Sequence, residues 1–429
     1  MAPSFFLLVL IALFLVSIPV AFALGITSTL LMAITGGGIR FGVIIQRMIG
    51  GVNTFTLLAV PMFLLAGKLM NATGITDRLF NFARVLVGWL PGGLGQVNVM
   101  ASVVFAGKTA TAVSDISALG AVQIRAMTNA GFDRPFSCAV SAASATLGPV
   151  FPPSLPMIIY GSIAGVSIGA LFIAGILPAV LMAILMMIVV FICSVVRKYP
   201  REKFPTPREL GASFVKAIPP LMAPVILFSG IYGGFFTPTE AAVVLVFYAL
   251  FLGMVVYRTI NLRNLWDIIK ETTVDAATIG LIVAAATLFG DVVIRTLIPQ
   301  HLVQAISGAI TNPLVLLLVV NLMMLVLGLF LETIAAITIT VPLLMPLITA
   351  AGIDPVHFGV ILVLNLMISV LTPPFGIVLF VCSYIGKISV PKLSIALLPW
   401  ILALFVALMI ITYVPAISLF LPRLAGLIN

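Results

Sequence analysis

The chain has 429 residues, of which 62% are hydrophobic and only 8% charged, and it carries a formal net charge of +9. Soluble domains devote roughly a quarter of their residues to charge, so this composition excludes a water-soluble globular protein and makes the bilayer the solvent for nearly every element. The basic excess gathers at loop ends instead of forming a stripe on one soluble face, which argues against nucleic acid as a partner and suits membrane lipids with anionic headgroups.

Apolar runs near the twenty residues that a spanning helix needs recur along the chain. The first, 4–35, precedes the first charged residue, Arg40. It lacks the basic start of a secretory signal peptide and reads as retained membrane helix. Further runs fall at 54–70, 93–107, 112–130, 137–161 and 165–196. Between 197 and 216 there are six basic residues and two acidic ones, which predicts a cytoplasmic loop, with 258–270 on the same side. The remaining runs are 216–233, 240–257, 273–298, 313–331, 334–351, 356–384 and 395–421. Cys138, Cys193 and Cys382 all sit inside apolar runs without metal-ligand spacing and read as packing residues.

Several runs are interrupted by Pro or Gly, notably at 148–156 and 371–376. A helix broken at membrane depth is tolerated only where its freed backbone groups face protein or a wet cavity. The chain also repeats itself. At a constant, ungapped offset of 221 residues, Gly107 matches Gly328, Pro152 and Pro153 match Pro373 and Pro374, Ser162 matches Ser383, Gly165 matches Gly386, and Leu177-Pro178 matches Leu398-Pro399. Three parts follow. The first half, 1–196, holds a hairpin at about 93–130 and a broken helix at about 137–161. A connecting part spans 197–272. The second half, 273–429, holds a hairpin at about 313–351 and a broken helix at about 356–384. Parallel and inverted repeats both fit; the basic loop after the first half has no counterpart after the second, which favours inversion.

Chemistry-bearing residues concentrate at matching places. In 105–120, Lys108, Thr109, Thr111, Ser114 and Asp115 interrupt an apolar run, and in 328–340 Glu332 and Thr333 do the same. Ionisable residues at membrane depth are costly and default to functional hypotheses; the alternative is a Lys108–Asp115 pair and hydroxyls bonded back to their own helix. Each tip is followed about forty residues later by a break, at which unwound carbonyls form one side of a cation cage. The half-helix starts around Pro152, Pro153, Ser154 and Pro374 receive a substrate carboxylate on the other. Elsewhere the reading is structural. Thr237, Pro238 and Glu240 form a capping box, Asp291 and Arg295 an i,i+4 pair, and His301 and His357, near segment ends, are interfacial. The chain lacks the GxSxG elbow and the HExxH and P-loop signatures, so no enzyme class is indicated; 288–291 is a weak match to intramembrane aspartyl proteases.

With LLAVPMFLLAG (57–67), PGGLG (91–95), GPVFPPSLPMIIYG (148–161), GGFFTPTEAA (233–242), AGIDPVHFGV (351–360) and LTPPFG (371–376) in this order, the sequence resembles, over nearly its whole length, the large DctM-like membrane subunit of the tripartite ATP-independent periplasmic (TRAP) transporters. The resemblance implies an all-α polytopic membrane protein of the ion-transporter superfamily kind: an inverted-repeat, elevator-type transporter with two re-entrant helical hairpins and broken helices. It implies sodium-driven import of an organic acid (a C4-dicarboxylate, sialic acid or other sugar acid) across the bacterial inner membrane. It also implies a periplasmic substrate-binding protein and a small four-helix membrane subunit as partners, and no cofactor beyond Na+ as coupling ion. A stand-alone carboxylate carrier of the same superfamily is the alternative. By position, Thr109, Thr111, Asp115, Gly148, Pro149 and Val150 would form a first sodium site. Gly328, Glu332, Thr333, Thr372, Pro373 and Gly376 would form a second. The family's Ser-Gly-Ser tip is here Thr109-Ala110-Thr111, and Lys108 adds a positive charge that would meet the substrate carboxylate or stand in for part of the cation.

Overall fold

A computed structural model of the chain describes residues 9–14, 16, 18–34, 41–104, 111–296 and 312–428. Among them every regular element is helical, and 8 helices are long and apolar enough to cross a membrane. The chain is thus an all-α polytopic membrane protein.

The principal helices are α1 (Val20–Ile34), α2 (Phe41–Val52), α3 (Ala59–Ala72), α4 (Ile75–Val87) and α5 (Gly93–Val104). The short α6 (Ala112–Asp115) leads through a π turn (Ile116–Gly120) into α7 (Ala121–Asn129). Then come α8 (Arg134–Ser144), α9 (Leu155–Ala164), α10 (Ile168–Arg197), α11 (Pro207–Tyr232), α12 (Pro238–Leu250) and α13 (Leu262–Arg295). The second half supplies α14 (Pro313–Phe330), α15 (Thr333–Ala350), α16 (Pro355–Ser369), α17 (Ile377–Gly386), α18 (Val390–Tyr413) and α19 (Ala416–Leu424).

Local chemistry sets many of these starts. Thr237 and Glu240 close the expected capping box at α12, with Pro238 at the first helical position, and Thr206 and Glu209 close a second one at α11, each reciprocally satisfying two end groups. Two helices, α2 and α4, fall outside the apolar runs. Of its described side chains α4 buries only the stripe Ile75, Leu79, Ala83 and Val87, while Arg78 lies 3.7 Å over the Tyr257 ring and Arg84 Nε reaches Glu202 Oε1 at 2.6 Å. Such an amphipathic helix has too few apolar residues in a row to register as a run. α13 begins at Leu262, inside the stretch expected to be loop, because Asn261 caps it. The run 395–421 is likewise two helices, parted by Val414 and Pro415.

The repeat is visible in the helices themselves. Adding 221 to the starts of α6, α8, α9 and α10 gives 333, 355, 376 and 389; α15, α16, α17 and α18 start at Thr333, Pro355, Ile377 and Val390. Side-chain contacts reveal the relative direction of the halves. Tyr160, near the end of α9, donates to the carbonyl of Pro355 at the start of α16 at 2.6 Å. Cys382, near the end of α17, donates to the carbonyl of Cys138 near the start of α8 at 3.3 Å. Each broken helix therefore ends beside the start of the other, so the two cross the membrane in opposite directions and the repeat is inverted.

The first hairpin, α5 to α7, leaves and returns at one face. Glu202 N–H donates to the carbonyl of Gly88 at 3.1 Å, tying the approach to α5 to the basic loop, and α7 ends just before Asp133, which accepts from Arg197 Nη1 at 2.6 Å. With 12 residues, α5 rises only about 18 Å, short of the roughly 30 Å hydrocarbon core. The second hairpin, α14 and α15, ends at the opposite face, just before Pro355, whose carbonyl accepts from Tyr160 of α9; midway along α14, Asn321 donates to Thr412 Oγ1 of α18 at 3.0 Å. A matching polar clamp holds each hairpin to its broken helix. In the first half Ser144 donates to Asn98 Oδ1 at 2.9 Å, and in the second Asn365, at the position 221 residues on, donates to Asn321 Oδ1 at 3.0 Å.

His357, expected at an interface, belongs to this packing instead. It is only 2% exposed, with Nδ1 at 2.6 Å from Ser418 Oγ and Nε2 at 3.3 Å from the Thr412 carbonyl. Nearness to a helix end placed it in water; the packing of α18 and α19 over that end removed it. His301 lies outside the described residues. Asp291 and Arg295 do form their i,i+4 pair, at 2.8 Å, and Arg47 of α2 joins it at 3.5 Å.

Candidate functional site

Thr111 has extended backbone (φ −143°, ψ 153°) and caps α6, its Oγ1 accepting from Ser114 N–H at 3.2 Å. One turn later Asp115 is 4% exposed. The π turn that follows is a rare geometry that concentrates at functional sites. Lys108 and Thr109 lie outside the described residues. In the first break, Ser154 caps α9 by accepting from Met157 N–H at 3.3 Å, and its hydroxyl donates to the Pro149 carbonyl. That carbonyl already holds one internal partner. Gly148, Val150 and Pro152 are buried beside it, while Pro153 is partly exposed.

At the second tip Glu332 takes the place that Thr111 holds in the first, since 332 is 221 residues beyond 111. Its carboxylate caps α15, accepting from Ile334 N–H at 2.9 Å and Ala335 N–H at 3.3 Å, and Thr333 behind it is buried. Gly328 packs against Ser369, whose Cβ would sit 2.5 Å from any Cβ added there. The second break is closed by its own backbone: Gly376 N–H donates to the Thr372 carbonyl and Val378 N–H to the Val370 carbonyl, both at 3.1 Å. The Thr372 hydroxyl donates to the Ile368 carbonyl at 2.8 Å. Pro373 is partly exposed and Pro374 exposed. At Gly376 a Cβ would lie 2.5 Å from the Val370 carbonyl oxygen, so the break needs glycine there.

A cavity of about 1130 Å³ brings part of this together. Thr111, Ser114 and Ser117 of the first tip, Pro153 and Leu155 of the first break, and Glu332 of the second tip line it on one side. The other side is made by α3 and α13, with the start of α1. Asp115, Thr333 and the second break lie outside its lining. Three helix starts, those of α6, α9 and α15, thus meet at one hollow; the first two, capped by hydroxyls, keep a partial positive charge, while at the third the Glu332 carboxylate offsets it.

The opposite wall holds a cluster to which the sequence reading assigned no role. Lys68 of α3 sits 2.7 Å from Asp275 Oδ2 and 3.4 Å from Glu271 Oε2, both on α13. A signal was present: Lys68 is a lysine inside an apolar run, and such residues default to function. What no local pattern shows is its pairing, because the partners lie about two hundred residues away.

Membrane helices broken around a shared hollow that carboxylates and hydroxyls enter, arranged as an inverted repeat, define the class of secondary transporters. The comparisons agree and narrow it. The family model described as "Tripartite ATP-independent periplasmic transporter, DctM component" matches residues 7–417, and the chain belongs to that family. It is 44% identical over 407 residues to the sialic acid TRAP transporter large permease protein SiaM of Vibrio cholerae, covering 95% of each chain. It is 37% identical over 373 residues to the C4-dicarboxylate TRAP transporter large permease protein DctM of Pseudomonas aeruginosa, covering 87% of each. Among solved structures, the YdaH transporter of Alcanivorax borkumensis, described as having an unusual topology, superposes with a TM-score of 0.69 at 14% identity, over 94% of this chain and 97% of that one; this likeness concerns the fold.

Proposed function

We propose that this chain is the substrate-translocating large subunit of a TRAP transporter in a bacterial inner membrane, importing an organic acid by symport with sodium. A periplasmic binding protein delivers the acid and a small membrane subunit completes the permease. The observation that carries this reading is the meeting of three helix starts with Thr111, Ser114 and Glu332 at one cavity. Helix starts favour a carboxylate, while hydroxyl, carbonyl and carboxylate oxygens favour a hard cation. On this reading Thr109, Thr111 and Asp115 with carbonyls of Gly148, Pro149 and Val150 hold one sodium ion. Gly328, Glu332, Thr333, Thr372, Pro373 and Gly376 surround a second. Pro152, Pro153, Ser154 and Pro374, with Lys108, face the substrate.

The positive-inside rule puts the basic loop in the cytoplasm. The cavity reaches from the hairpin tips to Lys68, Asn71 and Ala72 at the end of α3, the end next to the amphipathic α4 and its Arg84–Glu202 tie to that loop. The cavity therefore lies on the cytoplasmic half, as an inward-facing state of an elevator requires, the repeat-built tips and breaks moving against the wall of α3 and α13. Sialic acid is the first substrate to try, because it is named for the relative at 44% identity. The test is reconstitution with the cognate binding protein and small subunit. Uptake of labelled sialic acid, succinate or isethionate is expected under an inward sodium gradient; uptake indifferent to sodium, or undiminished without the binding protein, overturns the reading.

A further inference from the structure

Of the described side chains lining the cavity, Lys68 is the one cation, against three carboxylates, Glu271, Asp275 and Glu332. A hollow with that balance repels an organic anion unless a cation screens it. Lys68 is placed to do so. It lines the same cavity as the tips, its side chain is 27% exposed, and its partners Asp275 and Glu271 are 50% and 70% exposed. Ion pairs this wet are weak, so another carboxylate can displace either partner at little cost.

We infer that Lys68 is a release-path contact for the substrate anion. On leaving the hairpin tips, the acidic group of the substrate exchanges onto Lys68 in place of Asp275 and Glu271, and these two then compete it off toward the cytoplasm. The cluster is a specificity device for anionic cargo on the wall opposite the tips, and its acidic members set how fast the cargo leaves. No covalent step is involved; one ion pair replaces another. The inference rests on the transport reading above.

The sign of two variants separates this role from a plain structural latch. In proteoliposomes holding the full complex, internal unlabelled substrate inhibits uptake of the same labelled acid; the probe is whichever of sialic acid, succinate or isethionate the wild type carries. Lys68→Gln is expected to raise the internal concentration needed for half-inhibition about tenfold, equivalent to about 1.4 kcal/mol. Lys68→Arg is expected to restore most of it. Asp275→Asn is expected to act in the opposite direction, lowering the half-inhibitory concentration and slowing turnover. If Lys68→Gln and Asp275→Asn shift inhibition in the same direction while wild-type uptake stays sodium-driven, the cluster is a latch and the inference falls. Failure of the wild-type complex to carry any of the three acids removes the transport reading itself.

Discussion

The two hairpin tips occupy equivalent positions and solve the same problem with different chemistry. Both begin a helix with an extended capping residue, Thr111 before α6 and Glu332 before α15. In the first half the cap is a neutral hydroxyl and the carboxylate, Asp115, comes one turn later beside a π turn; in the second the carboxylate is itself the cap, and the position equivalent to Asp115 is Ala336. The breaks diverge as well. Gly376, pressed against the Val370 carbonyl, stands where the first half has Leu155. The repeat has kept backbone geometry and redistributed charge, so the two halves are equivalent as scaffolds and differ in where each tip carries its carboxylate.

Replacing charge at the second tip is expected to have the largest effect. Glu332→Gln keeps the shape and one acceptor but removes the negative charge, and sodium-driven uptake is expected to fall at least about tenfold, the equivalent of roughly 1.4 kcal/mol. Thr111→Ser, which keeps the cap, should leave uptake near wild type. Equal losses in both would erase the distinction between the tips. Next comes Gly376→Leu, which installs the first half's residue in the second break. With a backbone oxygen in its way, overpacking is expected to cost about 1–3 kcal/mol or more, read as a lowered unfolding temperature of the detergent-solubilised protein. Unchanged stability would mean that the breaks are interchangeable.

The polar clamps offer a finer comparison. Asn365→Ala removes two donations at a fully buried site, to Asn321 Oδ1 at 3.0 Å and to the Asn321 carbonyl at 2.9 Å, whereas Ser144→Ala removes one, to Asn98 Oδ1 at 2.9 Å. The second-half variant is expected to lose about 1–3 kcal/mol, the price of an unsatisfied buried group, and the first-half variant less; thermal melts of the pair check the order. The smallest effect belongs to Asp133 on the basic face. Burial pushes its carboxyl up, but the Tyr199 hydroxyl, the Phe136 N–H and the Arg197 guanidinium outweigh that and hold it below the usual carboxylate range. A carboxylate depressed in the folded state contributes stability that is present above its unfolded value, near about 4, and is lost as pH falls through the folded one. Asp133→Asn should accordingly lower the melting temperature at neutral pH and flatten its decline below about pH 4. An unaltered acid limb would show the cluster to be inert.

Much of this was legible in the chain. Hydropathy is local, so the apolar runs located most spanning segments, and capping chemistry is local too, so Thr237 and Glu240 announced the start of α12. The offset of 221 residues exposed the repeat because backbone breaks need Pro and Gly at fixed places whatever the rest becomes. α4 escaped because polar residues interrupt its apolar stripe, α2 because it has only 12 residues with Gln46 and Arg47 at its centre, and His357 escaped because its cover comes from the far end of α18 and from α19.

The sequence by itself determined the solvent, the helical class and the two matching tips, since each follows from residues adjacent in the chain. Only the tertiary structure decided that the halves run in opposite directions, that Thr111 and Glu332 look into one cavity, and that Lys68 pairs with Asp275 and Glu271 in its wall. Those are contacts between residues some two hundred positions apart. No periodicity encodes them, because they arise from how whole helices pack and not from what any one helix is made of.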